Sequence, residues 1–281
     1  MPTVTLNGIN VHYEVTGKGP PLLMLAPGGF DAHIERWNTT NVWPTVRPLE
    51  ALADLCTVIA YDRRESGQSG GRVEKLTWDL YAAEARALLE HLGHPRAFVM
   101  GGCMGVSVAL AFAARYPDVC LGLVLHKAAG GILWHLRLHK TFADHAAFAR
   151  QHGLAEIVRS ARQSMAFMPG PGGGPWAWRI SQDAAFADAF QRLDLDWYVA
   201  QVEASRALFD SVAAPGASPA EVRAMRMPAL LLPGDDESHG ASASHYLKEG
   251  LPNVEYWDAP MPEQQGPALA ERIRGFLKKR R

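Results

Sequence analysis

The chain has 281 residues, of which 48% are hydrophobic, and its formal net charge is −1 at pH 7. This length is sufficient to bury a sizeable core. A nearly neutral chain has no overall field that would attract nucleic acid or an anionic membrane, so neither is expected as a partner. No apolar stretch approaches the ~18 residues of a membrane span.

The three cysteines, Cys56, Cys103 and Cys120, show no regular spacing. An odd, low count argues against a disulfide framework and against a zinc site, so neither a metal nor a cofactor is expected. The first ten residues have no basic stretch followed by an apolar run, so no secretory signal is expected. These features predict a cytoplasmic protein whose thiols stay free.

The secondary structure predicted along the chain alternates between strands and helices. Asn7-Gly8 between two β-rich flanks predicts a hairpin. Short apolar runs then predict buried strands, at residues 21–26, 57–61, 97–100, 121–126, 229–233 and 254–257. Residues 77–92 form an amphipathic helical pattern, and a second helix runs from the turn at 101–105 to about Arg115. This order predicts an α/β fold with a mostly parallel, doubly wound sheet.

Residues 131–218 interrupt this alternation. The segment is rich in aromatic residues, alanine and charge, and it reads as helical except for a loop at 169–175 that consists of glycine and proline. We interpret it as a helical cap inserted into a core formed by residues 1–130 and 219–281. Its tryptophans predict an apolar roof over a pocket, or packing between cap and core: Trp134, Trp176, Trp178 and Trp197.

The motif that indicates chemistry is Gly101–Gly105, which has the form G-x-C-x-G. A residue on a sharp strand-to-helix turn needs neighbours without side chains, which explains a glycine two residues before and after Cys103. The start of a helix favours an anion and lowers the pKa of a thiol. The pattern therefore predicts Cys103 as a nucleophile, whereas the alternative is a buried structural cysteine.

Three further segments resemble motifs of the α/β-hydrolase superfamily. Pro27–Gly29 resembles the glycine loop of the oxyanion hole, and Asp62–Ser69 resembles the turn D-x-R-G-x-G-x-S, with Glu65 in place of a glycine. Gly234–His239 resembles the acid loop. The sharp turn at Gly101–Gly105 is called the nucleophile elbow in this superfamily, and a cysteine in the elbow is similar to that of dienelactone hydrolases. The resemblance extends over nearly the whole chain and implies an α/β-hydrolase fold.

The resemblance also implies roles for individual residues. A nucleophile–histidine–acid mechanism without a cofactor is implied, with the oxyanion held by the backbone N–H groups of Met104 and Gly29. The acid is one of three consecutive residues, Asp235 to Glu237. Counting back from His239 favours Asp236, whereas counting forward from Gly234 favours Glu237.

The general base is where the sequence departs from the family. The family's histidine follows the last strand, but residues 258–265 contain none, and no histidine occurs after His245. His239, in the acid loop, and His126, at the end of a strand, are the two substitutes. We expect His126 to be the better placed to reach Cys103.

The sequence thus predicts an enzyme that hydrolyses an ester, thioester or lactone of a small, partly apolar molecule through an acyl-cysteine at Cys103. Two alternatives stay open. One is a lyase or acyl transferase on the same scaffold, and the other is a ligand-binding member of the fold without catalysis. The oligomeric state is also open, a homodimer included.

Overall fold

The computed structural model describes residues 2–164, 167 and 172–280. The strands found there form one sheet of eight, in the order β1-β2-β4-β3-β5-β6-β7-β8. Their bounds are Thr3–Leu6 (β1), Ile9–Thr16 (β2), Pro21–Leu25 (β3), Thr57–Tyr61 (β4), Ala97–Gly102 (β5), Cys120–His126 (β6), Ala229–Leu232 (β7) and Val254–Tyr256 (β8). β2 runs antiparallel to both of its neighbours, and every pairing from β4 to β8 is parallel. The mostly parallel sheet is therefore confirmed.

The hairpin predicted at Asn7-Gly8 is confirmed. Leu6 pairs with Ile9, and the two turn residues both have positive φ, 51° at Asn7 and 77° at Gly8. These angles suit the tight turn that matches the twist of the flanking strands. The hairpin forms one antiparallel edge of the sheet, far from the strand ends that form the site.

Twelve helices occur among the described residues, and they flank the sheet or lie between β6 and β7. Their bounds are Arg36–Thr39 (α1), Trp43–Val46 (α2), Pro48–Ala51 (α3), Trp78–His91 (α4), Met104–Arg115 (α5), Ile132–Gln163 (α6), Ala177–Gln182 (α7), Ala184–Phe190 (α8), Leu195–Ser205 (α9), Pro219–Ala224 (α10), Ala241–Gly250 (α11) and Gly266–Lys278 (α12). Short 3₁₀ turns lie at Arg206–Phe209 and Met261–Glu263.

The segment between β6 and β7 is helical, with α6 to α10 in succession. α6 is kinked at Gly153, where φ is 76°. Of the loop predicted at 169–175, residues 169–171 lie outside the described residues, and 172–175 form turns. The limits at 131 and 218 stay a prediction.

The sheet has a different apolar layer on each face. Side chains alternate along a strand, so Leu123 and Leu125 of β6 join the layer that contains α4 and α5. Val124 joins the opposite layer, which contains Trp43 and the apolar side of α12. This alternation decides which side chains at the strand ends can reach a common site. In the part of the chain that is described, no helix is both long and apolar enough to cross a membrane.

Candidate active site

Cys103 lies at the turn between β5 and α5, and its backbone is strained. Its φ of 53° and ψ of −123° belong to neither helix nor strand, a conformation that costs a non-glycine residue on the order of 1–3 kcal/mol. A Cβ at Gly101 would overlap the carbonyl oxygen of Gly105, and a Cβ at Gly105 would overlap the carbonyl oxygen of Leu25. The two glycines of the G-x-C-x-G motif are therefore steric requirements of the turn.

Replacing Gly105 by alanine is expected to destabilise the fold by about 1–3 kcal/mol or more, because the new methyl group meets backbone that cannot move aside. The matched control is Gly275→Ala in α12, where no atom lies within 4 Å of the added Cβ. This control is expected to stabilise the protein by about 0.5–1 kcal/mol. Chemical denaturation of both variants measures the difference, and equal stabilities would contradict the steric explanation.

His239 and Asp236 form a close pair within the loop that follows β7. The Nδ1 of His239 lies 2.7 Å and 2.8 Å from the two carboxylate oxygens of Asp236. The backbone N–H groups of Ser238 and His239 also donate to Oδ1 of Asp236, at 2.9 Å and 3.0 Å. Asp235 and Glu237 are exposed. Of the three acidic residues considered from the sequence, the structure pairs Asp236 with the histidine.

Backbone hydrogen bonds hold this loop over the end of β6. The N–H of Gly130 donates to the carbonyl of Ser238 at 3.0 Å, and the N–H of Gly240 donates to the carbonyl of Gly130 at 3.1 Å. The same stretch of chain contacts the elbow, because the N–H of Cys103 donates to the carbonyl of His126 at 3.1 Å. The loop thereby crosses from β7 toward β5 and brings His239 beside Cys103.

The thiol of Cys103 and the imidazole of His239 perturb each other's pKa. Burial acts to raise the pKa of the Cys103 thiol, but the hydrogen bond and charge of His239, together with the N–H groups of Met104 and Gly28, outweigh it and lower the pKa. Burial acts to lower the pKa of His239, but Cys103 and then Asp236 raise it to about 9. Each of these opposite shifts favours the charged form of its group, the thiolate for Cys103 and the imidazolium for His239.

His126 lies elsewhere, and the expectation that it would be the better placed histidine is wrong. Its ring packs against Trp43 with 4.5 Å between centroids, on the sheet face opposite the layer that Cys103 joins. The alternation along β6 turns residue 126 to the same face as Val124. Burial lowers the pKa of His126 to about 3, with smaller contributions from Lys127 and His239. His126 is thus a buried neutral side chain that does not line the cavity described next.

A cavity of about 340 Å³ opens beside Cys103. This volume is more than twice the ~150 Å³ that accommodates one benzene molecule. Its lining is Gly29, Phe30, Asp31, Arg36, Cys103, Met104, Trp134, Leu138, Phe167, Gly174, Pro175, Ala177, Trp178, Ser238 and His239. Two of the four tryptophans noted in the sequence therefore form its wall, while Trp176 is buried and Trp197 is 43% exposed.

The glycine loop after β3, Pro27–Gly29, contacts both the cavity and the thiol of Cys103. Gly29, predicted from the sequence, lines the cavity, whereas the N–H that acts on the Cys103 sulfur besides that of Met104 belongs to Gly28. Arg63 donates from its Nη2 to the carbonyl oxygen of Gly29, and its guanidinium stacks 4.4 Å over the ring of Tyr81. Gly28 was missed by the sequence analysis, although it lies in the same Pro-Gly-Gly loop.

Glu65 occupies a position where the related motif has glycine. Its φ is 66°, a backbone conformation that glycine adopts more readily than other residues, and this explains the glycine of the related motif. The side chain is 1% exposed, and neither of its carboxylate oxygens has a hydrogen-bond partner among the described residues. The neighbouring Arg64 is engaged with Glu84 at 2.9 Å and Glu74 at 2.7 Å. Burial raises the pKa of Glu65 to about 8, although nearby arginines oppose the rise.

Replacing Glu65 by glutamine is expected to stabilise the protein more at pH 9 than at pH 5. A carboxyl whose pKa is raised by folding destabilises the folded state progressively as the pH rises from the unfolded pKa of about 4.5 to about 8. At pH 7 the raised pKa lowers the free energy of unfolding by on the order of 3 kcal/mol. Denaturation of both proteins across this pH range measures it, and parallel curves would contradict the assignment.

Comparison with known proteins places the chain beside hydrolases. The family model for the alpha/beta hydrolase fold matches residues 21–191, which is more than half of the chain. An uncharacterized hydrolase, YraK, from Bacillus subtilis is 28% identical over 127 residues, which are 44% of this chain and 43% of YraK. A probable proline iminopeptidase from Leptolyngbya boryana is 39% identical over 122 residues, 41% of this chain and 34% of that protein. The matched segment is thus less than half the length of either relative.

The solved structures extend this likeness to the whole fold. A thermophilic esterase from Thermogutta terrifontis aligns with a TM-score of 0.62 and 21% identity, covering 99% of this chain and 98% of the esterase. The architecture is therefore shared from end to end, even where the sequences have diverged.

Proposed function

Because the chain belongs to the alpha/beta hydrolase fold family, we propose that it is a hydrolase with Cys103 as its nucleophile. Its substrate is an ester, thioester or lactone of a small, largely apolar molecule. The observation that supports this best is the relation between three residues. The Cys103 thiol has a lowered pKa on the strained elbow, and His239 is oriented toward it by Asp236.

In the first half of the reaction, the Cys103 thiolate attacks the carbonyl carbon of the substrate and forms the C–S bond. The carbonyl π electrons move to oxygen, and the resulting oxyanion accepts hydrogen bonds from the N–H of Met104 and from the Gly28-Gly29 loop. Such donors are typically worth about 2.7–4 kcal/mol each. The tetrahedral intermediate then expels the alkoxide or thiolate, which takes the proton of the His239 imidazolium.

In the second half, the acyl-enzyme reacts with water. The acylated sulfur is neutral, so the charge of Cys103, which raised the pKa of His239, is gone. The pKa of His239 therefore falls, and more of its imidazole is in the neutral form that can act as a base near pH 7. Neutral His239 accepts a proton from water as the oxygen attacks the acyl carbon. Collapse of this second intermediate breaks the C–S bond, releases the acid and restores the thiolate–imidazolium pair.

His239 can replace the histidine that the family has after the last strand, which removes the reason to favour a non-hydrolytic reaction. The missing histidine after the last strand favours a lyase or transferase only if no other base is present, and His239 supplies a base from the preceding loop. A mechanism that needs a reduced thiol suits a reducing compartment such as the cytoplasm, and no disulfide joins Cys56, Cys103 and Cys120.

The test is to trap the acyl-enzyme. Mixing the protein with p-nitrophenyl benzoate and quenching in acid is expected to give an intact mass increased by one benzoyl group, which peptide mapping places on Cys103. The matched control is Cys120→Ala, because burial raises the pKa of the Cys120 thiol to about 12 and makes it unreactive. The control is expected to acylate like the parent, and acylation at a residue other than Cys103 would overturn the proposal.

A further inference from the structure

The wall of the cavity beside Cys103 is mainly apolar, and apart from Cys103 and His239 its polar side chains are Ser238 and the ion pair of Asp31 and Arg36. Phe30, Trp134, Phe167 and Trp178 form most of the wall. The position of Trp178 is fixed, since its Nε1 donates to the carbonyl of Gly67 at 3.2 Å and its ring stacks on His33. Such a surface favours an aromatic or aliphatic group and offers few partners to a polar one.

The ion pair consists of Asp31 and Arg36, both of which line the cavity. The Nη2 of Arg36 donates to Oδ2 of Asp31. The two side chains are largely buried, with 31% of Arg36 and 21% of Asp31 exposed. The charge of the guanidinium is therefore already balanced by a carboxylate of the protein, and a ligand carboxylate would have to compete with Asp31 for it.

The other charges that face the cavity also compensate each other. Cys103 and His239 each shift the pKa of the other toward its charged form, and Asp236 lies behind the histidine, 2.7 Å from its Nδ1. Arg137 donates to Oγ of Ser238 at 2.6 Å but does not line the cavity. Among the lining residues that the structure describes, Arg36 and His239 are thus the groups that can carry a positive charge, and each lies beside a carboxylate of the protein.

Resting on the proposed function, we infer that the Asp31–Arg36 pair makes this enzyme selective for uncharged aromatic or apolar esters over esters that bear a carboxylate. A carboxylate entering the cavity loses its hydration, meets the carboxylate of Asp31, and must compete with it for the charge of Arg36. A neutral aromatic ligand loses little hydration free energy on entry and gains contacts with the apolar wall. Selectivity of this kind arises from the repulsive element as much as from the attractive one.

Binding to the Cys103→Ala protein tests the inference without requiring turnover. The probes are benzamide and 4-carbamoylbenzoate, which differ by one carboxylate, and calorimetry gives the dissociation constant of each. We expect benzamide to bind at least about tenfold more tightly. Adding Asp31→Asn frees Arg36 and is expected to narrow this ratio to about threefold or less, whereas adding Arg36→Gln leaves Asp31 uncompensated and is expected to widen it.

The control is Asp54→Asn, which removes the carboxylate of another Asp–Arg pair, with Arg274 at 2.7 Å, outside the cavity. It is expected to leave the ratio unchanged. Equal or tighter binding of 4-carbamoylbenzoate by the Cys103→Ala protein overturns the inference, and so does a ratio that Asp31→Asn and Arg36→Gln both leave unchanged. Since these outcomes concern binding alone, they are distinct from a failure to trap the acyl-enzyme, which concerns the hydrolysis.

Discussion

Replacing Cys103 by alanine is expected to lower kcat for ester hydrolysis by on the order of 10⁴-fold to 10⁶-fold, which is the loss found when a covalent nucleophile is removed. The remaining groups, His239, Asp236 and the N–H donors, have no acyl acceptor to serve once the sulfur is gone. Steady-state kinetics with p-nitrophenyl esters measures the loss, provided that the parent rate is corrected for spontaneous hydrolysis.

The same variant separates chemistry from folding. Alanine at position 103 retains a Cβ in the same strained conformation, with φ of 53°, so its free energy of unfolding is expected to stay within about 1 kcal/mol of the parent. An alanine variant that keeps most of its activity contradicts the assignment of the nucleophile. A variant that loses both activity and stability leaves the trapping experiment on the parent protein to decide.

The fold and the elbow could be predicted from the sequence because each depends on local pattern. Buried central strands appear as continuous apolar runs, and an Asn-Gly pair specifies a hairpin on its own. The spacing of Gly101, Cys103 and Gly105 reflects steric limits within a single turn. The position of Cys103 followed from such limits, and no long-range information was needed.

The proposed base, His239, could not be predicted in the same way, because its position depends on how two loops meet. His126 ends a strand beside the elbow, but strand alternation turns it toward Trp43. His239 is 136 positions from Cys103 in the sequence, and the backbone bonds between its loop and Gly130, together with the bond from Arg137 to Oγ of Ser238, hold it across the end of β6. Side chains alternate between the two faces of β6, so the sequence alone places His126 on the face opposite Leu123 and away from the site. No such rule predicts the position of His239, because it lies in a loop.

The acid loop illustrates a further limit of motif comparison. The family model ends at residue 191, so neither Asp236 nor His239 lies in the matched region. Spacing within the family's pattern allowed either Asp236 or Glu237. Hydrogen bonds settle the pairing in the structure, since two backbone N–H groups and the imidazole of His239 all donate to Asp236. The proposed acid and the proposed base, three residues apart, thus form one hydrogen-bonded unit on a single loop.

Replacing His239 by glutamine is expected to slow ester hydrolysis by about 10²–10⁴-fold, the usual contribution of a general acid–base group. It is also expected to raise the pKa of the Cys103 thiol. In the parent protein His239 is the main group that lowers this pKa against the effect of burial, so without it burial dominates. The rate of alkylation by iodoacetamide, measured from pH 5 to pH 10, reports the thiolate fraction directly.

The sign of the pH dependence distinguishes a catalytic pair from a passive contact. In the parent protein the alkylation rate is expected to rise at a pH below the ordinary thiol value of about 8.5 and to change again near pH 9, where His239 loses its proton. In His239→Gln a single rise is expected above about pH 8.5. His245→Gln, an exposed histidine on α11, is the matched control and should follow the parent curve. Coincident profiles for His239→Gln and the parent would show that the imidazole does not govern the thiol, and the base would then have to be sought outside the loop after β7.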